Sequence, residues 1–176
     1  MQNRLTESLT VIFQIYKADD DFEKRNFMQS NFLTGVWFWF WICSEGSGDG
    51  GTLLAVLIHL ILVNLPPWIH GTIIFAAFFI GIWVCGRTAE YLGVHDHEGI
   101  VWDEFVGYWL MMFLVPSNWL WVSFGFVLFR ILDIFKPWPI SVVDRQVGGG
   151  LGIMLDDLLA GVMGAVCIHA LIVLSV

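Results

Sequence analysis

The sequence predicts an all-α fold: a polytopic membrane helical bundle in which full-length spans mix with short or re-entrant helices and charge gathers at one face. Three observations lead there. Apolar residues make up 57% of the 176 and charged residues 14%, with a mean hydropathy of +0.74, against about 45–50% and about 25% in soluble domains. Apolar runs of helical length recur at about 31–43, 52–65, 68–86, 105–115, 119–129 and 158–176, and a helix satisfies its backbone polar groups within one segment, as lipid demands. Charge, finally, is concentrated. Nine carboxylates fall between 87 and 157 (Glu90, Asp96, Glu98, Asp103, Glu104, Asp133, Asp144, Asp156 and Asp157). Beside lipid-facing runs an ionised carboxylate costs several kcal/mol unless paired, hydrated or bound to a cation. The gathering therefore points to a divalent metal at the membrane surface.

Taken in order, residues 1–28 read as a short amphipathic helix (Leu9, Ile12, Phe13, Tyr16) and a charged stretch, a surface cap or interfacial element. Residues 29–176 read as a single membrane-embedded domain. The polar start, with Asp19-Asp20-Asp21, is unlike a cleavable signal peptide, so insertion is expected from the internal segments. A span takes about 20 residues at about 1.5 Å each. The runs 68–86 and 158–176 meet that length, whereas 31–43 and 52–65 need their flanks. Pro66-Pro67 predicts a tight turn, because proline cannot continue a helix from behind. Pro116-Ser117-Asn118 makes 105–129 either one kinked segment or a hairpin of two half-spans. The glycines at 148–150 and 152 predict a loop leading into a helix that starts near Asp156, with Gly161, Gly164 and Ala165 as a small-residue packing face.

Arg87 flanks the first charged segment and Arg130, Lys136 and Arg145 lie in the second, which places both in the cytoplasm by the positive-inside rule. An even number of crossings must then separate them. A hairpin over 105–129 satisfies this, with its tip at Pro116 facing away. The runs 52–65 and 68–86 form a second hairpin entering from the cytoplasm, and 31–43 lies in the interface or re-enters.

A net charge of −8 argues against nucleic acid, which needs a basic face. No Gly-x-x-x-x-Gly-Lys loop occurs, so a nucleotide P-loop is excluded. Cys85 and Arg87 are too close for a phosphate loop, and Cys43, Cys85 and Cys167 have no zinc or disulfide spacing, reading as small buried hydrophobes.

Asp156-Asp157 are expected to open a helix, where the dipole favours them. Adjacent side chains point about 100° apart, so the pair suits two metals, or a metal and a neighbouring partner, better than one chelated ion. Asp103-Glu104 repeats the arrangement ahead of Phe105. If both helices start at the cytoplasmic face, the pairs converge, and such oxygen ligands suit Mg²⁺, which keeps waters for a phosphate. His95 and His97 could ligate or move protons, but the oxygen-rich set argues against zinc. Arg130, Asp133 and Lys136 recur at i, i+3 and i+6. Two readings stay open for them: a phosphate held between the bases with Asp133 at the metal, or a snorkelling salt-bridge face. His59, His70 and His169 read as packed or interfacial.

The strings His95-Asp96-His97…Ile100-Val101-Trp102-Asp103-Glu104-Phe105, Phe129-Arg130-Ile131-Leu132-Asp133-Ile134-Phe135-Lys136-Pro137-Trp138-Pro139-Ile140 and Gly149-Gly150-Leu151-Gly152-Ile153-Met154-Leu155-Asp156-Asp157 closely resemble the phosphatidylglycerophosphatase A family. The similarity runs from about 52 to the C-terminus. The resemblance implies a Mg²⁺-dependent, multi-pass phosphatase of the bacterial inner membrane with its active site facing the cytoplasm. Its substrate would be phosphatidylglycerophosphate in the bilayer, its products phosphatidylglycerol and phosphate. Carried over residue by residue, Asp103, Glu104, Asp156 and Asp157 become the catalytic carboxylates and, with Asp133, the Mg²⁺ ligands. Arg130, Lys136, His95 and Asp96 become the substrate-binding set. The family's Gly-Ser-Gly-x-Ser-Pro-x-x-Pro-Gly-Thr stretch is altered: Thr34-Gly35 leads into Trp37-Phe38-Trp39-Phe40-Trp41 and then Ser47-Gly48-Asp49-Gly50-Gly51-Thr52, without Ser-Pro. Thr52 alone stays a site candidate there.

The alternatives are divalent-cation transport or another membrane phosphotransfer protein. A transporter places its carboxylates within spans, whereas these sit at span ends. A phosphotransferase of nucleotide-activated lipids carries an Asp-rich signature that is absent here. A structural membrane protein needs no converging acidic pairs.

Overall fold

The computed structural model describes residues 49–93 and 100–175, and among these the chain is helical, with no strand. The predicted segment 1–28, the run 31–43 with its aromatic stretch 37–41, and His95 and Asp96 lie outside the described residues. In chain order the helices are α1 (Asp49–Leu62), α2 (Pro67–Leu92), α3 (Trp102–Met111), α4 (Trp119–Phe135), α5 (Ile140–Gln146) and α6 (Gly149–Leu174).

Local chemistry sets the boundaries. Pro67 occupies the first turn of α2, where no donor is needed. Gly93 closes the helix in the left-handed region (φ 68°), its N–H donating to the Ala89 carbonyl at 2.9 Å. The Pro116 interruption makes a hairpin of two separate helices, not one kinked helix. Asn118 caps the second of them, accepting from the Trp121 N–H at 2.9 Å.

Among the described residues two helices are long and apolar enough to cross a membrane, over Pro67–Glu90 and Gly149–Leu174. α1 is shorter and shows an inverted polarity. It buries Thr52, Ala55 and His59, at i, i+3 and i+7, and exposes Leu53, Leu57, Leu60 and Ile61. An apolar outer face over a polar-bearing inner one suits lipid as the surrounding solvent. The buried His59 ring lies 5.8 Å from those of both His70 and Tyr108, so the packed-histidine expectation holds for His59 and His70.

α3 is the central element. It packs on α6 most extensively, and also on α1, α2 and α4. Glycine permits the closest approach: a methyl group on Gly161 would collide with the Gly107 carbonyl, and one on Gly107 would stand 2.6 Å from the Asp157 carbonyl. The small-residue face predicted on α6 is therefore the seat of α3. Aromatic polar tips are satisfied by helix carbonyls, with Trp102 Nε1 donating to Ala77 (2.9 Å), Trp109 Nε1 to Ala55 (3.0 Å) and the Tyr108 hydroxyl to Val122 (3.2 Å).

Two expectations need correction. α6 starts at Gly149, not near Asp156, so Asp156 and Asp157 lie about two turns inside the helix and gain nothing from its N-terminal dipole. Glycines without a side chain to exclude the backbone of α2 let α6 extend: Gly150 abuts Gly86, where an added methyl would clash. The 52–65/68–86 hairpin also opens, because α1 packs against α3 and α4 instead of lying along α2.

Candidate active site

The N-terminal turn of α3 and the middle of α6 bring the two acidic pairs together. Asp103 and Glu104 sit in the first turn of α3, as the sequence predicts. All four carboxylates are buried, at 7% exposure for Asp103 and Glu104, 5% for Asp156 and 3% for Asp157. Asp157 lies within electrostatic reach of Asp103, Asp133, Asp156 and Glu104. In each pair the second residue's N–H donates to the first carboxylate at 3.0 Å, which fixes Asp103 and Asp156 against their own helices.

Two cations are set into this cluster. Arg130, on the last full turns of α4, donates from Nη1 to Asp133 Oδ2 at 2.7 Å, to Thr52 Oγ1 at 3.4 Å and to Glu104 Oε1 at 3.5 Å. The Thr52 hydroxyl, fully buried, donates to Glu104 Oε2. Lys136 ends α4 in the left-handed region (φ 40°). That turn takes it off the Arg130 face, so the predicted i, i+3, i+6 stripe holds for Arg130 and Asp133 but not for Lys136. Its ammonium instead donates to Asp144 Oδ1 at 2.6 Å and Asp156 Oδ2 at 2.5 Å. Burial alone would lower the Lys136 pKa; the hydrogen bonds and charges of Asp144 and Asp156 reverse that, and the net shift is upward.

The structure thus unites Asp103, Glu104, Asp133, Asp156, Asp157, Arg130 and Lys136 at one end of the bundle. It adds Thr52 and Asp144 as direct partners. Asp144 was visible only as one more acid in the second charged segment, and no local spacing ties it to Lys136 across the turn at Pro137. The sequence signal for Thr52 was its place at the end of the altered N-terminal stretch.

Among the described residues six carboxylates here face two cations, an excess of four negative charges within that set if all are ionised. Asp157 has no salt bridge among the described residues. A buried carboxylate among like charges calls for a cation or a proton. The donor set, oxygen throughout, fits a hard divalent ion such as Mg²⁺ in its chemistry. As they stand, no three His, Cys, Asp or Glu side chains among the described residues form a group that could hold a metal ion. Lys136 and Arg130 are bonded to three of the oxygen-bearing groups such an ion would share.

The family model for phosphatidylglycerophosphatase A matches residues 33–172. A phosphatidylglycerophosphatase A from Escherichia coli (strain K12) is 47% identical over 119 residues, covering 67% of this chain and 69% of that protein. One from Haemophilus influenzae is 37% identical over 142 residues, covering 79% and 86%. A Bacteroides thetaiotaomicron protein provisionally named a phosphatidylinositol-3-phosphatase is 37% identical over 129 residues, covering 69% and 80%. No solved structure matches the chain. With the family model spanning most of its length, the chain belongs to the phosphatidylglycerophosphatase A family and is a phosphatase.

Proposed function

We propose that this phosphatase hydrolyses phosphatidylglycerophosphate to phosphatidylglycerol and phosphate, with Mg²⁺, at the cytoplasmic face of a bacterial inner membrane. The observation that carries the reading is the meeting of two buried acidic pairs with Arg130 and Lys136 at one end of an apolar bundle. The activity for which the relatives at 47% and 37% identity are named supports the substrate. Exposed Trp68 and Trp119 at the end away from the carboxylates, and exposed Trp138 beside them, support two membrane interfaces with the charged end at one of them.

Asp103, Glu104, Asp133, Asp156 and Asp157 would hold the Mg²⁺, which when bound supplies charge neutralisation and a lowered pKa for a coordinated water. The chain's own residues do the rest. Arg130 offers a planar guanidinium to the phosphoryl oxygens, drawn from its bonds to Glu104 and Asp133 as the anion arrives. Lys136 adds a second positive charge on the Asp156 side. The phosphorus–oxygen bond to the glycerol breaks, and that oxygen leaves with a proton from a protonated carboxyl of the cluster. The attacking oxygen comes from water or from an aspartate, and rapid quench with labelled substrate separates the two by the presence or absence of a phospho-enzyme. His95 and Asp96 complete the proposed substrate-binding set.

The deciding experiment is phosphate release by detergent-purified protein from phosphatidylglycerophosphate and from phosphatidylinositol 3-phosphate, with Mg²⁺ and with excess chelator. Release from phosphatidylglycerophosphate that needs Mg²⁺ is expected. Preference for the phosphoinositide would overturn the substrate, and full activity in chelator would overturn the metal.

A further inference from the structure

α1 carries none of the carboxylates that the site gathers, yet its first turn is pressed directly onto one of them. A methyl group on Gly51 would stand 2.6 Å from Val101 Cγ1 and 3.1 Å from Glu104 Oε2, so the absence of a side chain is what lets the α1 backbone reach this carboxylate. The next residue, Thr52, is fully buried; its hydroxyl donates to the same Glu104 oxygen and accepts from Arg130 Nη1. One turn on, Trp109 Nε1 donates to the Ala55 carbonyl at 3.0 Å, which locks the register of α1 on α3, the helix that bears Glu104. Two independent contacts therefore fix the height at which the hydroxyl meets the carboxylate.

We infer that Thr52 is a positioning residue for the phosphatase reaction. Its hydroxyl links Glu104 to Arg130 and sets both at the distance from which the guanidinium can move to the phosphate. A hydroxyl can do this because it donates and accepts at once: it gives its proton to the carboxylate and offers a lone pair to the guanidinium. Without it, the direct Arg130 Nη1–Glu104 Oε1 contact, 3.5 Å with the hydroxyl in place, tightens into a closer ion pair. The guanidinium is then held by its carboxylate and less available to the substrate. The effect should fall on turnover more than on substrate capture, because acyl chains and the remaining charges still bind the lipid. α1 is thus part of the catalytic unit and not merely a membrane anchor. The inference rests on the lipid-phosphatase reading for its activity arm alone.

The test compares Thr52→Val, which keeps shape and removes the hydroxyl, with Thr52→Ser, which restores it. Thr52→Val is expected to lower kcat about 10- to 100-fold, the scale of a lost hydrogen bond to a charged group, with KM within about threefold by the same reasoning. Thr52→Ser should return kcat to within about threefold of wild type. A purely packing role predicts the reverse order, since serine loses the buried methyl that valine keeps, and that order would overturn the inference. A second arm is independent of substrate: thermal midpoints in detergent for Thr52→Val, Glu104→Gln and the double variant. Losses smaller in the double variant than the sum of the singles are expected for bonded partners, and simple additivity would overturn the inference. Wild type inactive on phosphatidylglycerophosphate, with coupling retained in this cycle, would overturn the substrate reading and leave the Thr52–Glu104 link standing.

Discussion

Arg130 and Lys136 lie six residues apart at the end of α4, and each faces two carboxylates, but they are held in different ways. Arg130 stays on a regular helix. Asp133 is its i+3 neighbour, and the planar guanidinium reaches across to Thr52 on α1 and Glu104 on α3. Lys136 has left the helix. A side-chain-bearing residue in the left-handed region costs about 1–2 kcal/mol, and here the compact ammonium gains Asp144 on α5 and Asp156 on α6 in return. One half of the site is thus fixed by helix periodicity and a single guanidinium nitrogen, the other by a turn and an ammonium. The difference teaches that two cations near one another in sequence need not share a face or a role. Arg130 joins three helices, whereas Lys136 joins Asp144 and Asp156; under the proposed function the guanidinium would turn toward the phosphate while Lys136 holds Asp156 in place and adds charge beside it.

The largest effect is expected at Arg130. Arg130→Ala should lower kcat/KM at least about 100-fold, the range seen when a preorganised charge stabiliser is removed. Arg130→Lys should recover little, since the ammonium stands on a shorter stem and has no second nitrogen to offer a phosphate while the Nη1 partners Asp133, Thr52 and Glu104 are kept. Recovery to within a few-fold of wild type in a steady-state phosphate-release assay would mean that the fork is not what matters, and the contrast with Lys136 would collapse.

Lys136 comes next, and its backbone and its charge can be separated. Lys136→Ala should lose about 10-fold or more in kcat/KM through the charge and also lower the thermal midpoint. Lys136→Gly should lose the same activity but keep more stability, because glycine adopts the left-handed turn freely. Equal thermal midpoints for the two variants would remove the turn from the explanation.

The smallest effect is one of pH, measured in chelator. Asp144 and Asp156 hold the folded Lys136 pKa above its ordinary value of 10.5. The stabilisation from that ammonium is therefore complete below about 10.5 and is lost only as pH rises through the higher folded value. Arginine at this position would not titrate in the same range. The thermal midpoint of wild type relative to Lys136→Arg should stay level from pH 8 to about 10.5 and fall above it. A relative fall centred below pH 10 would show that the two carboxylates do not hold Lys136.

How much of this was legible beforehand differs between the same two halves. The i, i+3 relation of Arg130 to Asp133 could be read off the chain, because helical periodicity alone brings such residues together. The opening of α3 at Asp103-Glu104 was legible from the acidic pair itself; the convergence of the two pairs was expected from two helix starts at one face, and it comes about instead with Asp156-Asp157 two turns inside α6. Lys136 was misplaced on that face, since nothing local announces a non-glycine residue at positive φ. Asp156 and Asp157 were put at a helix start because a glycine cluster ordinarily signals a loop. In α6 the glycines serve close packing instead, with Gly150 on Gly86 and Gly152 on the Val147 carbonyl.

By itself the sequence determined the helical class, the two long apolar helices, the turn at Pro66-Pro67 and the two acidic pairs that, with Arg130, Asp133 and Lys136, meet at one end of the bundle. Each follows from composition, hydropathy or a motif contiguous in the chain. Only the tertiary structure decided that α1 leaves its hairpin partner to lie on α3, that Thr52 bonds Glu104 and Arg130, and that Asp144 shares Lys136 with Asp156. Those contacts join residues 8 to 78 positions apart, beyond the reach of any local pattern: Gly51 lets the α1 backbone approach Glu104, and the left-handed turn at Lys136 carries its ammonium to α5 and α6.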